Sequence, residues 1–251
     1  MTRKELYTKV QGFYSLLNDP SLDPRPVAKE LYDLIIGPLA VELESIGTET
    51  IMFSLDGPLR YIPMSALYDG EKWLTEKYRT TLFIETARHN LKDAPNKLPL
   101  ANGFWVTKEH PPFSALNGVK GELDAITTDC DTRGGILTGN SFLDENFTID
   151  TLKEALWSGA SILHIASHFQ FAIPLANIRD NSYLLLGDGT LLTVANIKDE
   201  MNLGTLDLLT LSACNTATGI VTGEGVEVES IGNKILKLGT KAVLVPSIIN
   251  N

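Results

Sequence analysis

The chain has 251 residues, of which 43% are hydrophobic and 21% are charged. This length and composition allow a substantial core, organised as one large domain or two small ones. The net charge of -10 argues against a direct nucleic-acid partner, because neutralising phosphates requires clustered Lys and Arg side chains.

The sequence lacks the usual signals of secretion and membrane insertion. Its first residues, MTRKELYTKVQGFY, contain no apolar signal-peptide stretch, and no run approaches the roughly 18 apolar residues of a membrane span. Two cysteines, Cys130 and Cys214, are too few for the disulfide framework of a small secreted protein. We therefore expect a cytoplasmic protein with no membrane partner and leave its oligomeric state open.

The histidines do not predict a metal site. His164 and His168 stand four residues apart, and on a strand this spacing separates them by about 13 Å, too far to share one ion. No Cys-x-x-Cys spacing suggests structural zinc. We therefore predict no metal and no cofactor.

The N-terminal part mixes helix, strands and turns. Residues 1–26 are expected to form a peripheral segment, and residues 27–251 the main domain. A helix is predicted from Pro26 and interrupted at Pro38, because proline fits the first helical turn but not the interior. Strands are predicted at IMFSL, TTLFIE and GFWV, and RHNLKDAPNKLPLANG is predicted as a loop.

The C-terminal part alternates between helix and strand. Predicted helices lie in VKGELDAITTD, TIDTLKEALWSG, TVANIKDEM and EVESIGNKILKLG, and predicted strands lie in SILHIAS, LDLLTLSA and KAVLV. This alternation is typical of parallel crossovers. It predicts an α/β fold with a mostly parallel central sheet and helices on both faces.

Two of the predicted strands are followed directly by residues whose side chains can act in catalysis. His168 follows the strand in ILHIASHFQF, and Cys214 follows the strand in LDLLTLSACNTATG. Catalytic groups collect beyond the carboxyl ends of parallel strands. If the two strands are neighbours, their tips lie about 5 Å apart, close enough for an imidazole to activate a thiol.

Purely structural roles are the alternative for such residues. An isolated cysteine beside small residues is usually a buried space-filler, which is our interpretation of Cys130. His164, inside an apolar run, is expected to be a buried core histidine. Cys214 and His168 differ because each ends a core strand and precedes a loop.

Several ordered motifs resemble one known family. The segments LHIASHF, LLTLSACNT and GEGVEVESIGNKILKLGTKAVLV are similar to the CHAT domain, a caspase-like, separase-related cysteine peptidase domain of clan CD that is often attached to TPR repeats. Together with similar upstream segments, the resemblance extends over roughly residues 27 to 246. It implies a caspase-like three-layer sandwich. Because such domains normally continue past the VLVPSI strand, we expect a domain truncated at its C-terminus, from a larger TPR-CHAT-type protein.

The resemblance also implies catalytic roles. It assigns His168 as general base and Cys214 as the nucleophile that forms a thioester with the substrate. Backbone N–H groups near the histidine and at the cysteine, here Phe169 and Cys214, are implied as the oxyanion site. The family usually has glycine directly after the histidine, so Phe169 is a departure that affects one wall of the site.

Two functions are compatible with these observations. The first is a cysteine endopeptidase that cleaves a specific protein partner and is controlled by a regulatory or activating protein. The alternative is a catalytically weak or inactive CHAT scaffold that binds a protein partner. A phosphate-binding loop in GIVTGEGVEVES is a weaker interpretation, because the Lys-Ser/Thr end of such a loop is absent.

Acidic residues are candidates for a substrate pocket. Asp56 ends the predicted strand IMFSLD, and in related caspase-like peptidases this position helps to line the pocket for the residue before the scissile bond. A carboxylate there would favour Lys or Arg. We name Glu224 with it as a second pocket candidate. The alternative for Asp56 is structural, because Asp-Gly is a strong turn signal.

Overall fold

A computed structural model describes residues 2–83, 85, 88, 94–95, 99–128, 136–170, 182–213 and 231–245 of the chain. The chain divides into two compact units, one ending at Glu85 and the other beginning at Thr86. The predicted domain boundary at residue 27 stays a prediction, because a compact unit can end within a domain. Among the residues described, no helix is both long and apolar enough to cross a membrane.

The first unit combines short helices with one pair of strands. Its α-helices and strands are, in chain order, α1 (Arg3–Leu17), α2 (Arg25–Ile35), α3 (Ala40–Ser45), β1 (Thr50–Phe53), α4 (Leu74–Lys77) and β2 (Arg79–Leu82). Short 3-10 helices occupy Gly37–Leu39, Gly57–Tyr61 and Met64–Ala66. Strands β1 and β2 pair in parallel as a two-stranded sheet.

Helix boundaries in this unit follow local chemistry. Helix α1 begins after Thr2, whose hydroxyl accepts from the Glu5 amide while the Glu5 carboxylate accepts from the Thr2 amide. Proline lies in the first turn of α2, and Pro38 lies in the 3-10 helix that separates α2 from α3. The interruption predicted at Pro38 is therefore present, because proline cannot continue the helical hydrogen-bond ladder.

The N-terminal segment, which was expected to be peripheral, contributes to the core of the first unit. Val10 and Phe13 of α1 are 1% and 0% exposed and belong to one buried cluster with residues of α2. The sequence pattern underestimated this segment because α1 carries a narrow apolar stripe among charged and polar residues.

The second unit is built on a five-stranded sheet. Its α-helices and strands are β3 (Ala101–Trp105), α5 (Val119–Ile126), β4 (Thr127–Thr128), β5 (Leu137–Thr138), β6 (Ser141–Leu143), α6 (Ile149–Trp157), β7 (Ile162–Ala166), β8 (Phe169–Gln170), β9 (Tyr183–Leu185), β10 (Leu191–Thr193), α7 (Val194–Glu200), β11 (Leu208–Ser212), α8 (Ile231–Lys237) and β12 (Ala242–Leu244). The large sheet has the order β12-β11-β7-β3-β6, and every neighbouring pair is parallel. Strands β8, β9 and β10 form a separate antiparallel sheet.

Helices cover both faces of the parallel sheet. On one face, Leu163 and Ile165 of β7 belong to the main core together with buried residues of α6, α7 and α8. On the opposite face, Trp105 and Ala166 pack with Val119 of α5. This three-layer arrangement confirms the predicted fold class, and it places the carboxyl ends of β7 and β11 side by side.

Candidate functional site

The two strands that end near His168 and Cys214 are direct neighbours. Ala166, the last residue of β7, lies opposite Ser212, the last residue of β11, and the Ser167 amide donates to the Ser212 carbonyl at 3.2 Å. The condition for a shared site, that these strands be adjacent, is therefore met. Cys214 itself lies outside the described residues, which stop at Ala213 and resume at residue 231.

The imidazole of His168 is held by the loop that follows β3. Its Nε2 atom lies 2.8 Å from the carbonyl oxygen of Ser114, and its ring stacks on Phe113 with the ring centroids 5.0 Å apart. A carbonyl oxygen can only accept, so Nε2 carries the hydrogen in this contact. In a neutral ring the other nitrogen, Nδ1, then has the free lone pair that a general base needs.

A buried carboxylate anchors the loop that carries Ser114. Asp144 follows β6, is 4% exposed, and accepts hydrogen bonds from the Thr107 amide at 2.7 Å, the Thr107 hydroxyl at 2.8 Å and the Lys108 amide at 3.2 Å. Burial by itself raises the pKa of the Asp144 carboxyl, but these hydrogen bonds outweigh it, and the pKa is lower than usual.

Phe113, Ser114 and Asp144 were missed at the sequence level. Ser114 acts through its backbone carbonyl, which any residue type would provide, so its identity carries no signal. The signal for Asp144 is a carboxylate directly after the strand SFL, but that strand has only three residues. A short, isolated apolar run of this kind does not reveal a strand by its periodicity.

The side chain of Phe169 points into the core. It is 5% exposed and belongs to the main apolar cluster. Its backbone starts β8, where Phe169 pairs with Leu184 and the neighbouring Leu185 amide donates to the His168 carbonyl at 2.9 Å. The ring therefore contributes to core packing, and the β8–β9 pairing fixes the direction of the chain immediately after His168.

A small apolar cavity of about 30 Å³ lies beneath this region, between the sheet and the helices of its main core. Phe169, Leu184 and Ile235 are among its lining residues, and all of those lining residues are apolar. Because the described lining offers no acid, base or nucleophile, we place the chemistry at the carboxyl edge of the sheet instead.

A polar bridge connects helix α5 to both β7 and β11. One carboxylate oxygen of Glu122 lies 3.0 Å from Nε2 of His164, and the other accepts from the Ser212 hydroxyl at 3.3 Å. Nε2 of His164 makes no hydrogen bond of good geometry, so this approach is a close polar contact. It is nevertheless the main reason why the pKa of the Glu122 carboxyl is lowered, against the opposing effect of burial. We call Glu122, His164 and Ser212 the polar bridge.

His164 also matches its predicted core location. It is 5% exposed, and its ring stacks on Trp105 with the centroids 4.7 Å apart.

Asp56 occupies a turn in the first unit. Its strand β1 pairs with β2 and is not a member of the five-stranded sheet, so the shared sheet edge assumed by the pocket hypothesis is not present. Its side chain is 99% exposed, accepts from the Gly57 amide at 2.8 Å and lies 3.8 Å from Arg60. The structural alternative, a turn and cap residue at Gly57–Tyr61, is the role that the contacts support.

Cys130 and Glu224, like Cys214, lie outside the described residues.

Comparison with known families identifies a match over most of the chain. The family described as the CHAT domain matches residues 25–246, which is most of the chain and includes both His168 and Cys214. No curated protein matches the chain.

Proposed function

Because the chain belongs to the CHAT domain family and has its caspase-like α/β fold, we propose that it is a cysteine endopeptidase with a Cys214–His168 dyad. The observation that supports this proposal most strongly is the register of β7 and β11. His168 stands two residues beyond Ala166, and Cys214 stands two residues beyond its partner Ser212. The contact of His168 with the Ser114 carbonyl further supports the proposal, since it leaves Nδ1 to act as the base.

The proposed reaction begins with proton transfer from the Cys214 thiol to Nδ1 of His168. The thiolate attacks the peptide carbonyl carbon, and the electron pair of the C=O bond moves onto oxygen. When this intermediate collapses, the C–N bond breaks and the imidazolium gives its proton to the leaving amine. Water, deprotonated by His168, then attacks the thioester carbon; the C–S bond breaks, the acid product leaves, and the imidazolium returns its proton to the Cys214 sulfur.

The oxyanion formed in both steps needs hydrogen-bond donors. The family resemblance implies the backbone N–H groups at Phe169 and Cys214 for this role. The ladder between β8 and β9 supports it by holding the backbone at Phe169 in a fixed direction before substrate binds. We propose a protein substrate and a regulatory or activating protein as partners, with no direct nucleic-acid partner, because the chain carries a net charge of -10.

A second candidate function is a CHAT scaffold that binds a protein partner without hydrolysis. The observation in its favour is Phe169, which replaces the glycine that the family usually has after the histidine. The side chain of Phe169 is buried in the core, and its backbone pairs with β9. This segment therefore lacks the conformational freedom of glycine.

Covalent labelling separates the two functions. We expect a mixed pool of peptidyl acyloxymethyl ketones, which require an activated thiol, to modify Cys214 of the wild type. His168→Ala should slow this labelling at least about 10³-fold, equivalent to roughly 4 kcal/mol of barrier. Cys130→Ala, the matched control at the other cysteine, should label like the wild type. Labelling of Cys214 that is absent or independent of His168 would support the scaffold instead.

A further inference from the structure

The polar bridge lies close in sequence to both proposed catalytic residues. Ser212 is the last residue of β11 and is separated from Cys214 only by Ala213. His164 lies on β7, four residues before His168. Glu122 therefore contacts both strands that lead into the dyad.

Helix α5, which carries Glu122, also follows the segment that contacts the imidazole of His168. Helix α5 begins at Val119, and the segment just before it carries Ser114, whose carbonyl lies 2.8 Å from His168 Nε2. Glu122 thus links helix α5, and the segment before it that holds the imidazole, to the middle of β7 and the end of β11.

Stability alone is a weak explanation for this bridge. Placing a carboxylate in a half-buried position against a buried imidazole costs desolvation free energy, and apolar residues of similar size often stabilise such a position as well or better. Polar contacts do add a defined geometry, since a carboxylate held by one hydrogen bond from Ser212 and one close contact to His164 restricts how the strands and the helix can shift. Within the part of the chain that the structure describes, Glu122 faces the imidazole of His164 from β7 and the hydroxyl of Ser212 from β11, and Trp105 of β3 stacks on His164.

We propose that Glu122 is a positioning residue for the dyad, acting through His164 on the middle of β7 and through Ser212 on the end of β11. This inference rests on the proposed peptidase function. Without the carboxylate, the proposed pairing of the Cys214 thiol with the imidazole should weaken, and thiolate formation at Cys214 should become harder. The lost carboxylate charge acts the other way through space, because removing a nearby negative charge favours the thiolate. A rise in the pKa of the Cys214 thiol on loss of the carboxylate therefore indicates positioning, whereas a fall indicates a simple charge effect.

The test measures the alkylation rate of Cys214 by iodoacetamide from about pH 5 to about pH 9, by mass spectrometry, in a Cys130→Ala background. A paired thiol should show a midpoint below the value of about 8.5 for a free thiol. We expect Glu122→Gln and Ser212→Ala to raise this midpoint by about half a pH unit or more toward the free-thiol value. Ser212→Thr, which keeps the hydroxyl, should restore the parent midpoint. Glu200→Gln, a surface carboxylate paired with Lys153, is the matched control and should have no effect.

Defined outcomes overturn the proposal. A midpoint in Glu122→Gln that is unchanged or lowered would contradict the positioning role. If Glu122→Gln does not fold, Ser212→Ala and Ser212→Thr decide by the same criterion, and equal midpoints for these two variants would also contradict it. Failure of the proposed function has a different signature, because His168→Ala would then leave the midpoint unchanged in the parent background.

Discussion

At His168, one backbone carbonyl determines which ring nitrogen is available as a base. The Ser114 carbonyl engages Nε2, so Nδ1 remains available for the thiol that we propose as its partner, and the stacked ring of Phe113 limits rotation of the imidazole. This arrangement depends on the loop conformation, and the loop in turn depends on the buried carboxylate of Asp144. Substitution of Asp144 therefore tests whether the loop conformation supports His168.

We predict that Asp144→Asn destabilises the protein by about 1–3 kcal/mol, because an amide cannot accept all the hydrogen bonds that the carboxylate accepts. Asparagine suits the test because Asp144 has a positive φ of 46°, which asparagine tolerates. Labelling of Cys214 in the folded variant should also slow, since the segment carrying Ser114 loses its anchor. Urea unfolding and the acyloxymethyl ketone assay measure the two effects. Glu145→Gln, at the next and exposed position, is the control and should leave the unfolding midpoint unchanged.

The pH dependence of Asp144 has a defined sign. Its pKa is lower in the folded chain than the ordinary value of 3.8, so the carboxylate contributes stability above that pH and loses the contribution as the pH falls through and below it. The stability difference between wild type and Asp144→Asn should therefore shrink below about pH 4. A difference that stayed constant from neutral pH down to about pH 3 would contradict an ionised Asp144 anchor.

At the scale of the element, strand β8 contributes the side chain of Phe169 to the core. Phe169→Gly, which restores the family's usual residue, should cost at least about 3 kcal/mol, because it removes a buried aromatic ring and leaves a cavity. Gln170→Gly, at the exposed neighbouring position of β8, controls for the backbone cost of glycine and should cost about 0.5–1 kcal/mol. Urea unfolding of both variants tests this, and equal losses would show that the ring of Phe169 does not support the core.

Helix α1 provides a second test at this scale. Phe13→Ala should lower the free energy of unfolding by about 3–5 kcal/mol, since Phe13 is 0% exposed within the core of the first unit. Tyr7→Ala, at a more exposed position of the same helix, should have a much smaller effect. If Phe13→Ala lowered the free energy of unfolding no more than Tyr7→Ala, α1 would be peripheral, as expected from the sequence.

These elements also show what the sequence could and could not predict. The alternation of helix and strand predicted the parallel sheet, because crossover connections leave few other arrangements. It could not predict that β1 lies outside this sheet, since an apolar run does not specify its pairing partner. The histidine at the end of β7 was predictable from its position after a core strand. The Ser114 carbonyl and the anchor at Asp144 were not, because both depend on a loop conformation fixed by tertiary contacts.

At the scale of the whole molecule, the family match from residue 25 to residue 246 extends across both compact units. The five-stranded sheet, His168 and Ser114 belong to the second unit, and Asp56 belongs to the first, where its side chain accepts from the Gly57 amide. Asparagine keeps an oxygen acceptor for this turn contact, so on the turn interpretation Asp56→Asn should leave both thermal stability and substrate preference unchanged. A selective loss of cleavage after Lys and Arg, measured on a peptide library at unchanged thermal stability, would contradict this and revive the pocket hypothesis for Asp56.

The most direct test of the central claim is proteome-wide mapping of new protein N-termini in an extract treated with the purified chain. The wild type and Cys130→Ala should generate the same defined set of new N-termini, from one or a few proteins. Cys214→Ala and His168→Ala should each lose at least about 10³-fold of this activity while remaining folded. New N-termini that persist in Cys214→Ala, or that never arise with the wild type, would contradict the assignment of a Cys214–His168 endopeptidase.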